Sequence, residues 1–473
     1  MNEPITLPFW VFGLLLAGTA ITLCWFGLRP LWYSGWAWWS HRIVKVVNPH
    51  LQLKLSPFTL TDRRQLADRL ASDPKILEAI NEEALVSGRS VADVQKNVRR
   101  IAYSMVPAFS PVFYFRVGYV MARSALRALY RVRIGFTDEN ALRQIDEDSC
   151  VVFFMNHRTN VDYVLVSYLT SPRTMLSFGV GEWSHIWPIQ PLMRAAGGYF
   201  LQRDSGNPLY RKVLERYVQM ATEAKVPHAM FPEGALSPDG GLQPPRLGLL
   251  SYMTRNFDMA ASPDIVFDPI GTNYDRVAED INMVSHDPAE FRGKGRAFVY
   301  RSGAKIGTRV FWQMLRRKRN FGFACANFGT PVSFKRWLLN HWVDWSKLDR
   351  AERFEWLSKL GGELMEDIAA LIPVPPVALV CRVLIKEDGA LVSMETLKTR
   401  YAQEADRAKA NGANLFLPDG DGSLGIPEAL TLLRGRGMIV QTGSDEISVP
   451  QSQRRLVEYY ANSIRQFFDD AEG

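Results

Sequence analysis

The chain has 473 residues, which at roughly 150 residues per domain corresponds to about three structural units. Apolar residues make up 47% of the sequence and charged residues 22%, a balance that excludes intrinsic disorder for the chain as a whole. The net charge of +7 is small for this length and does not by itself indicate a nucleic-acid partner.

The N-terminus begins with an apolar segment. The 24 residues from Ile5 to Leu28 include no charged side chain, and a helix of that length would span roughly 36 Å against a hydrocarbon core of about 30 Å. Arg29, Arg42 and Lys45 flank its far end, so the positive-inside rule places the rest of the chain in the cytoplasm. We expect a membrane-spanning helix here, with a re-entrant or interfacial segment and a soluble core helix as the open alternatives.

The apolar pattern then changes along the chain. Residues 59–105 and 112–129 keep a helical period, whereas from residue 131 short apolar runs alternate with helical stretches, which is typical of an α/β domain. The apolar runs are Cys150–Met155, Met175–Phe178, His228–Phe231 and Ile265–Ile270. The predicted division is a membrane segment (1–45), a helical domain (46–130), an α/β domain (131–336) and a mainly helical C-terminal region (337–473).

The most informative motif follows the first of these runs. The strand ends in Asn156-His157, and Asp162 comes five residues after the histidine. On one continuous helix five residues turn about 500°, so the two side chains would point about 140° apart. They meet only if His157 lies on the loop and Asp162 early in the next helix, capped by Thr159 or Asn160. The carboxylate would then hold one imidazole nitrogen and leave the other as a general base, which is a His–Asp pair without an enzyme nucleophile. If the motif stood alone, the alternative would be a loop histidine that lies near an aspartate without any functional relation to it.

Three further motifs follow in order: Gly197-Gly-Tyr-Phe-Leu-Gln-Arg203, Phe231-Pro-Glu-Gly-Ala-Leu-Ser237 and Phe267-Asp-Pro-Ile270. Together with the His157–Asp162 motif they resemble the four ordered blocks of the glycerolipid acyltransferases. Within that superfamily the chain is most similar to the glycerol-3-phosphate acyltransferase family. The supporting residues are Arg158, Tyr163, Gly206–Tyr210, Gln243–Gly248, Tyr274–Val277 and Tyr459–Ile464.

The resemblance implies a central mixed sheet flanked by helices. It also implies transfer of an acyl group from acyl-CoA or acyl-carrier protein to a hydroxyl of glycerol 3-phosphate, with no cofactor and lysophosphatidate as the product. His157 would deprotonate the acceptor hydroxyl, and Asp162 would stabilise the imidazolium as it forms. The enzyme would belong to the cell inner membrane, single-pass or monotopic, with its catalytic domain in the cytoplasm.

The resemblance also implies the residues that bind the acceptor. Glu233 would orient the hydroxyls, with Gly234 allowing close backbone approach. Arg203 and Arg246 would bind the phosphate, because a guanidinium matches phosphate bidentately.

Two departures from the family pattern remove positive charge, since the family usually has arginine where this chain has Gln202 and Leu236. Arg158, Arg246 or Lys212 is expected to compensate, and we include Arg158 among the acceptor-binding residues. The departures leave open a lysophosphatidate acceptor or an inactive membrane-associated relative.

One strongly basic segment stands out, residues 292–320, with ten basic residues and no acidic one. Because it contributes +10 to a net charge of +7, the rest of the chain carries −3. A basic amphipathic helix with Phe and Trp is typical of binding to anionic lipid. Contact with coenzyme A or acyl-carrier protein, and a solvated face over a core helix, are the alternatives. The predicted membrane-contacting residues are Arg309, Phe311, Trp312, Arg316, Arg317, Lys318 and Arg319.

Metal and nucleic-acid sites are not predicted. The four cysteines have no short spacing, which argues against a disulfide framework or a zinc site, and no histidine pairs with cysteine or carboxylate at ligand spacing. Residues 391–449 resemble a winged-helix outline with a short hairpin over 437–449. However, no helix there is rich in Arg and Lys with polar base readers, so a lid or interaction domain is favoured.

Overall fold

The computed structural model describes residues 38–181, 184–185, 187, 189–202, 206–285, 321–387, 390–417, 425–442 and 445–468. The apolar segment Ile5–Leu28 and the basic segment 292–320, including its predicted membrane-contacting residues, lie outside the described residues, and so does Arg203. Among the helices within these ranges, none is long and apolar enough to cross a membrane.

In the described part of the chain, a helical stretch over 38–47 is followed by α1 (Arg63–Ala71), α2 (Pro74–Ser87), α3 (Val91–Met105) and α4 (Tyr119–Leu129), all before the sheet. A π-helical turn, Phe113–Gly118, directly precedes α4. Helices α1 to α3 begin at N-caps whose side chains accept first-turn backbone N–H groups, namely Asp62, Asp73 and Ser90. Their apolar sides are buried in the main core. These helices lie in the stretches that keep a helical period in the sequence.

The central sheet has eight strands in the described part of the chain: β1 (Arg131–Thr137), β2 (Cys150–Met155), β3 (Ser177–Val180), β4 (Gly198–Phe200), β5 (His228–Met230), β6 (Ile265–Tyr274), β7 (Phe323–Phe328) and β8 (Val332–Ser333). Their order is β1-β7-β6-β2-β5-β3-β4, with β8 beside β6. β6 is antiparallel to β7 and β8, and all other pairs are parallel. The predicted α/β class, with a central mixed sheet between helices, is therefore correct.

Helices pack against this sheet. Those of the α/β region are α5 (Glu139–Arg143), α6 (Val161–Thr170), α7 (Ile189–Ala195), α8 (Pro208–Glu223), α9 (Gly248–Thr254) and α10 (Asp280–Ser285). Every residue of β2 and β6 is buried, so these two strands form the centre of the core. Their parallel register carries both strands towards the same edge of the sheet.

The C-terminal region is mainly helical, with α11 (Phe334–Asn340), α12 (Arg350–Leu371), α13 (Pro376–Lys386), α14 (Met394–Ala410), α15 (Gly425–Gly435) and α16 (Arg454–Ala461). It includes a small antiparallel sheet of β9 (Val392–Ser393), β10 (Val440–Thr442) and β11 (Glu446–Ser448), in the order β10-β11-β9. The β10–β11 hairpin lies in the stretch where the sequence predicts one. Helix α13 is almost wholly buried and joins this region to the main core.

One buried carboxyl group in the sheet has no visible partner. Asp268 lies in the middle of β6, and neither carboxyl oxygen forms a hydrogen bond with any described residue. Burial raises the pKa of Asp268 from 3.8 to about 8, so the group is mostly protonated at neutral pH in the folded chain. Unfolding between about pH 4 and pH 8 therefore releases a proton, and the contribution of Asp268 to the free energy of unfolding falls as pH rises through that window.

We therefore expect Asp268→Asn to gain stability relative to wild type as pH rises. The difference in free energy of unfolding between variant and wild type should grow by on the order of 3 kcal/mol from pH 5 to pH 8. Urea unfolding across this range measures it. Asp344→Asn is the matched control, because the pKa of that exposed carboxyl is lowered to about 2 by Lys347 and Ser346 and does not change charge in this window. Stability curves of wild type and Asp268→Asn that run parallel in pH would contradict the prediction.

Candidate active site

The predicted site residues gather at one edge of the central sheet. His157 follows the end of β2, and Glu233 follows the end of β5, its parallel neighbour. The far end of β6, on the other side of β2, brings Thr272 and Tyr274 to the same edge. Loops at the carboxyl ends of parallel strands are where α/β proteins place their ligand sites.

His157 and Asp162 are in contact. His157 lies on the loop after β2, Asp162 lies in the first turn of α6, and the histidine Nδ1 is 3.1 Å from Asp162 Oδ2. Both side chains are buried. Asn160 occupies the N-cap position of α6, while Thr159 Oγ1 accepts from the backbone N–H of Val161 at 3.3 Å. The short loop therefore gives the two side chains the one arrangement in which five residues of spacing let them meet.

The Asp162 carboxylate accepts several hydrogen bonds. Its Oδ2 also accepts from the backbone N–H groups of Arg158 at 2.8 Å and Thr159 at 3.0 Å. Its Oδ1 accepts from the Tyr274 hydroxyl at 2.6 Å, with the Thr272 hydroxyl more distant at 3.5 Å. Both oxygens therefore have hydrogen-bond partners that fix the orientation of the carboxylate towards histidine Nδ1.

The imidazole ring packs against two aromatic side chains that also contact each other. The Phe231 ring lies 4.0 Å from it between centroids, and the Tyr163 ring lies 5.6 Å away, nearly perpendicular. Tyr163 is itself fixed by a hydrogen bond from its hydroxyl to the Gly179 carbonyl, 2.9 Å long. Among the described residues, nothing forms a hydrogen bond with His157 Nε2, so this nitrogen is available to a substrate hydroxyl.

Glu233 ties the loop after β5 to the loop after β2. Its Oε1 accepts from the backbone N–H of His157 at 2.7 Å, and its Oε2 accepts from that of Gln243 at 3.0 Å. Burial raises the pKa of Glu233 to about 7, although the two backbone N–H groups oppose that shift. Gly234 has φ of +68°, and a Cβ there would lie 2.8 Å from Arg246 Cδ, so a residue without a side chain is required. Glu233 therefore shapes the site through backbone contacts, besides its predicted role with acceptor hydroxyls.

The predicted acceptor-binding arginines differ in their surroundings. Arg158 is only 3% exposed, donates from Nη1 to the Gly240 carbonyl, and lies 4.8 Å from the Tyr459 ring centroid. Its Nε and Nη2 are buried without a partner among the described residues. Arg246 is exposed, and its guanidinium forms no hydrogen bond or ion pair with a described residue. Arg246 is thus the freer of the two cations.

Two further residues, Glu279 and Tyr460, support the loop after β2 (residues 156–160). Neither was singled out from the sequence as part of the site. Glu279, just before α10, accepts from the Thr159 hydroxyl at 2.5 Å and from Asn160 Nδ2 at 3.0 Å. Asp280 follows Glu279 in the sequence, and the hydroxyl of Tyr460 in α16 donates to its carboxylate. The same hydroxyl accepts from the backbone N–H of Val277 at 3.0 Å. These partners lie more than 100 residues from the loop, so no local pattern points to them.

An apolar cavity of about 250 Å³ is lined by Tyr163, whose ring contacts the imidazole. Phe178 also lines it, and α4, α6 and α7 contribute residues such as Ala122, Ser167 and Leu192. By contrast, no three His, Cys, Asp or Glu side chains in the described ranges are grouped so that they could hold a metal ion.

Comparisons with known proteins show which family the chain resembles. Two family models match the chain: "Acyltransferase" over residues 133–271 and "Glycerol-3-phosphate acyltransferase C-terminal region" over residues 310–470. The curated glycerol-3-phosphate acyltransferase of Aeromonas hydrophila is 25% identical over 443 residues, covering 91% of this chain and 53% of the relative. The predicted resemblance to the glycerol-3-phosphate acyltransferase family is confirmed.

Other relatives have the same name. The glycerol-3-phosphate acyltransferase of Haemophilus influenzae is 24% identical over 453 residues, covering 91% of this chain and 53% of the relative. That of Pseudomonas aeruginosa is 26% identical over 401 residues, covering 81% and 46%. The chain spans about half the length of these family members.

The chain also has a distant likeness to a solved structure, the 1-acyl-sn-glycerophosphate acyltransferase PlsC of Thermotoga maritima. The TM-score is 0.30 at 13% identity, with 65% of this chain and 97% of that chain covered. A likeness of this size adds nothing to the fold described above.

Proposed function

We propose that the chain transfers a fatty acyl group from an acyl thioester to a hydroxyl of glycerol 3-phosphate, giving lysophosphatidate. The observation that carries the proposal is the buried His157–Asp162 pair at the carboxyl edge of the sheet, with His157 Nε2 unpartnered among the described residues. The named activity of the curated relatives supports this choice of acceptor.

The chemistry needs only the pair and the two substrates. His157 Nε2 takes the proton of the acceptor hydroxyl as its oxygen attacks the thioester carbonyl carbon. The tetrahedral oxyanion then collapses, the carbon–sulfur bond breaks, and the leaving thiolate takes the proton back from the imidazolium. Asp162 holds the proton on Nδ1 and stabilises the imidazolium while it exists. Because no Ser, Thr or Cys side chain of the described residues bonds to the imidazole, the acceptor supplies the nucleophile.

We assign the binding of the acceptor phosphate to Arg246. The exposed guanidinium of this arginine lies beside the Glu233–Gly234 turn and has no partner in the described part of the chain. Arg203, outside the described residues, remains a second proposed phosphate ligand. The buried Arg158 is proposed to act indirectly, through Glu233, because its positive charge opposes the rise in the pKa of that carboxyl.

Arg246→Ala is expected to raise the KM for glycerol 3-phosphate by about 10- to 100-fold, as loss of a hydrogen-bonded charge pair would. The KM for the acyl donor should stay within a factor of about two. Steady-state kinetics with each substrate varied in turn measure both constants. Arg64→Ala, which removes an exposed arginine of α1, is the matched control. An unchanged KM for glycerol 3-phosphate in Arg246→Ala would remove Arg246 from the site.

The acyl chain is assigned to the apolar cavity that opens beside Tyr163. The Tyr163 ring lines this cavity and lies 5.6 Å from the imidazole between centroids, so we place the hydrocarbon chain of a thioester at the imidazole between α4 and α7. The lining is almost entirely apolar, which suits a fatty chain and not a phosphate.

Membrane attachment is also part of the proposal. It rests on the apolar N-terminal segment and on the basic segment 292–320. A further support is the exposed pair Trp38 and Trp39, 56% and 54% exposed, with the Arg42 guanidinium 5.3 Å from the Trp38 ring centroid. Trp beside Arg is typical of the membrane–water interface, so we propose an inner-membrane location with the catalytic domain in the cytoplasm.

A panel of acceptors and donors tests the function. The purified full chain is incubated with glycerol 3-phosphate or lysophosphatidate and with acyl-CoA or acyl-carrier protein, and the products are identified by mass spectrometry. Lysophosphatidate formed from glycerol 3-phosphate supports the proposal. Phosphatidate formed from lysophosphatidate alone would overturn the choice of acceptor, and no product from any combination would indicate an inactive relative.

A further inference from the structure

We propose that Tyr274 is a positioning residue of the acyl transfer, acting on His157 through Asp162; this inference rests on the proposed function. Tyr274 is the last residue of β6, and its hydroxyl donates to Asp162 Oδ1 over 2.6 Å. It lies 112 residues from its partner, which is why the His–Asp motif alone does not reveal it.

The hydrogen bonds of Asp162 give Tyr274 a distinct task. Oδ2 already accepts three donors, from His157 Nδ1 and from two backbone N–H groups of the loop. On Oδ1 the Tyr274 hydroxyl is the one close donor in the described part of the chain, because the Thr272 hydroxyl lies at 3.5 Å. Tyr274 therefore holds the Oδ1 side of the carboxylate, and together with the donors on Oδ2 it fixes the rotation that aims Oδ2 at the imidazole.

The surroundings of Tyr274 keep it in place and keep it a donor. Its side chain is fully buried, and its ring packs edge-on against Tyr130 with 5.6 Å between centroids. The Tyr130 hydroxyl is in turn bound to the Arg276 carbonyl at 2.9 Å. Burial and the adjacent Asp162 charge raise the pKa of Tyr274 well above 10, so the phenol keeps its proton throughout the working range.

The fixed carboxylate matters for the imidazole. With Oδ2 in contact with Nδ1, the ring keeps the tautomer and the orientation that leave Nε2 for the acceptor hydroxyl. Without the Tyr274 hydroxyl, the carboxylate loses the close donor on Oδ1 and is held on the Oδ2 side alone.

Tyr274→Phe tests this, because it removes only the hydroxyl. We expect kcat per folded molecule to fall about 10- to 100-fold with the KM of both substrates within a factor of two. Tyr401→Phe is the matched control: it removes another buried hydroxyl, in α14, that has no partner among the described residues. Circular dichroism gives the folded fraction of each variant.

A second comparison separates positioning from a general effect on the fold. In a His157→Ala background, removal of the Tyr274 hydroxyl should not lower the residual rate further, since the residue it acts on is gone. A Tyr274→Phe enzyme as active as wild type, or an equal loss in the His157→Ala background, would overturn the inference. An inactive wild-type chain would instead overturn the proposed function, so the two failures are distinguishable.

Discussion

Replacing Asp162 with asparagine is expected to lower kcat by on the order of 10⁴-fold while the KM of both substrates changes little. The asparagine amide has one N–H group where the carboxylate has a second oxygen, so it would direct a donor at groups that now donate to Asp162. Because the amide is neutral, it cannot stabilise an imidazolium by its charge. If its oxygen keeps the contact with His157 Nδ1, its nitrogen faces the Tyr274 hydroxyl, which can rotate and accept, but the neutral oxygen stabilises an imidazolium much less than a carboxylate does. The reverse rotation places N–H against the imidazole and against the backbone N–H groups of Arg158 and Thr159. We therefore expect a catalytic loss much larger than the loss of stability.

The matched control for Asp162→Asn is Asp93→Asn. Asp93 also lies in the first turn of a helix, α3, but it is exposed and far in sequence from the loop after β2. It should keep wild-type kcat. Steady-state kinetics and thermal unfolding of both variants give the comparison. A kcat for Asp162→Asn within tenfold of wild type would remove Asp162 from the mechanism.

The second large effect is expected from Gly240→Ala, which should reduce the free energy of unfolding by about 3 kcal/mol and lower the activity per folded molecule. Gly240 has φ of +86°, and a Cβ there would overlap the carbonyl oxygen of Tyr459. Since that neighbour is backbone, the C-terminal helix would have to move. The movement would carry the Tyr459 ring away from Arg158 and the Tyr460 hydroxyl away from Asp280.

Gly412→Ala is the control that isolates packing from backbone strain. Its φ of +82° is nearly the same, but nothing lies within 4 Å of the added Cβ. It should lose only the cost of the left-handed conformation, about 1–2 kcal/mol, and keep its activity. Urea unfolding and kcat are measured for both variants. Equal losses in the two would show that the C-terminal helix is not pressed against Gly240.

Local patterns predict the parts of this fold that depend on local physics. The apolar run Cys150–Met155 is strand β2 without change of bounds, because a wholly buried strand needs a continuous apolar sequence. The spacing of His157 and Asp162, with the turn angle of a helix, gives the correct placement of one on a loop and the other in the first turn of α6. Both inferences use only residues close in sequence.

Features that depend on distant partners are missed. The predicted run Ile265–Ile270 is too short, because β6 continues to Tyr274 through polar residues. The Thr272 hydroxyl is tolerated in the core because it donates to Asn156 Oδ1 at 3.2 Å, and the Asn156 side chain also bonds to the Thr272 backbone N–H and carbonyl, at 2.8 Å and 2.9 Å. Likewise, the backbone contacts of Glu233 and the Tyr274 hydroxyl bond to Asp162 join strands that only the folded sheet brings together.

The C-terminal resemblance gains a physical reason from the structure. The stretch Tyr459–Ile464 matches the family by sequence, but its distance from the motifs gives no hint of a role. In the fold it lies against the site: Asn462 Nδ2 donates to the Asp239 carbonyl at 3.0 Å, and the Ser463 hydroxyl accepts from Asn273 at 3.1 Å. The C-terminal region therefore packs against Arg158, on the loop after β2, and against the segment around Asp239.

The most direct test of His157 as the base is the formation of lysophosphatidate from labelled glycerol 3-phosphate and acyl-CoA by purified wild type, His157→Ala and His50→Ala. His50 is an exposed histidine at a 3₁₀ turn and serves as the matched control. We expect wild type and His50→Ala to form labelled product at equal rates, and His157→Ala to be at least about 10³-fold slower. Product formation by His157→Ala at the wild-type rate would contradict the assignment of His157 as the catalytic base.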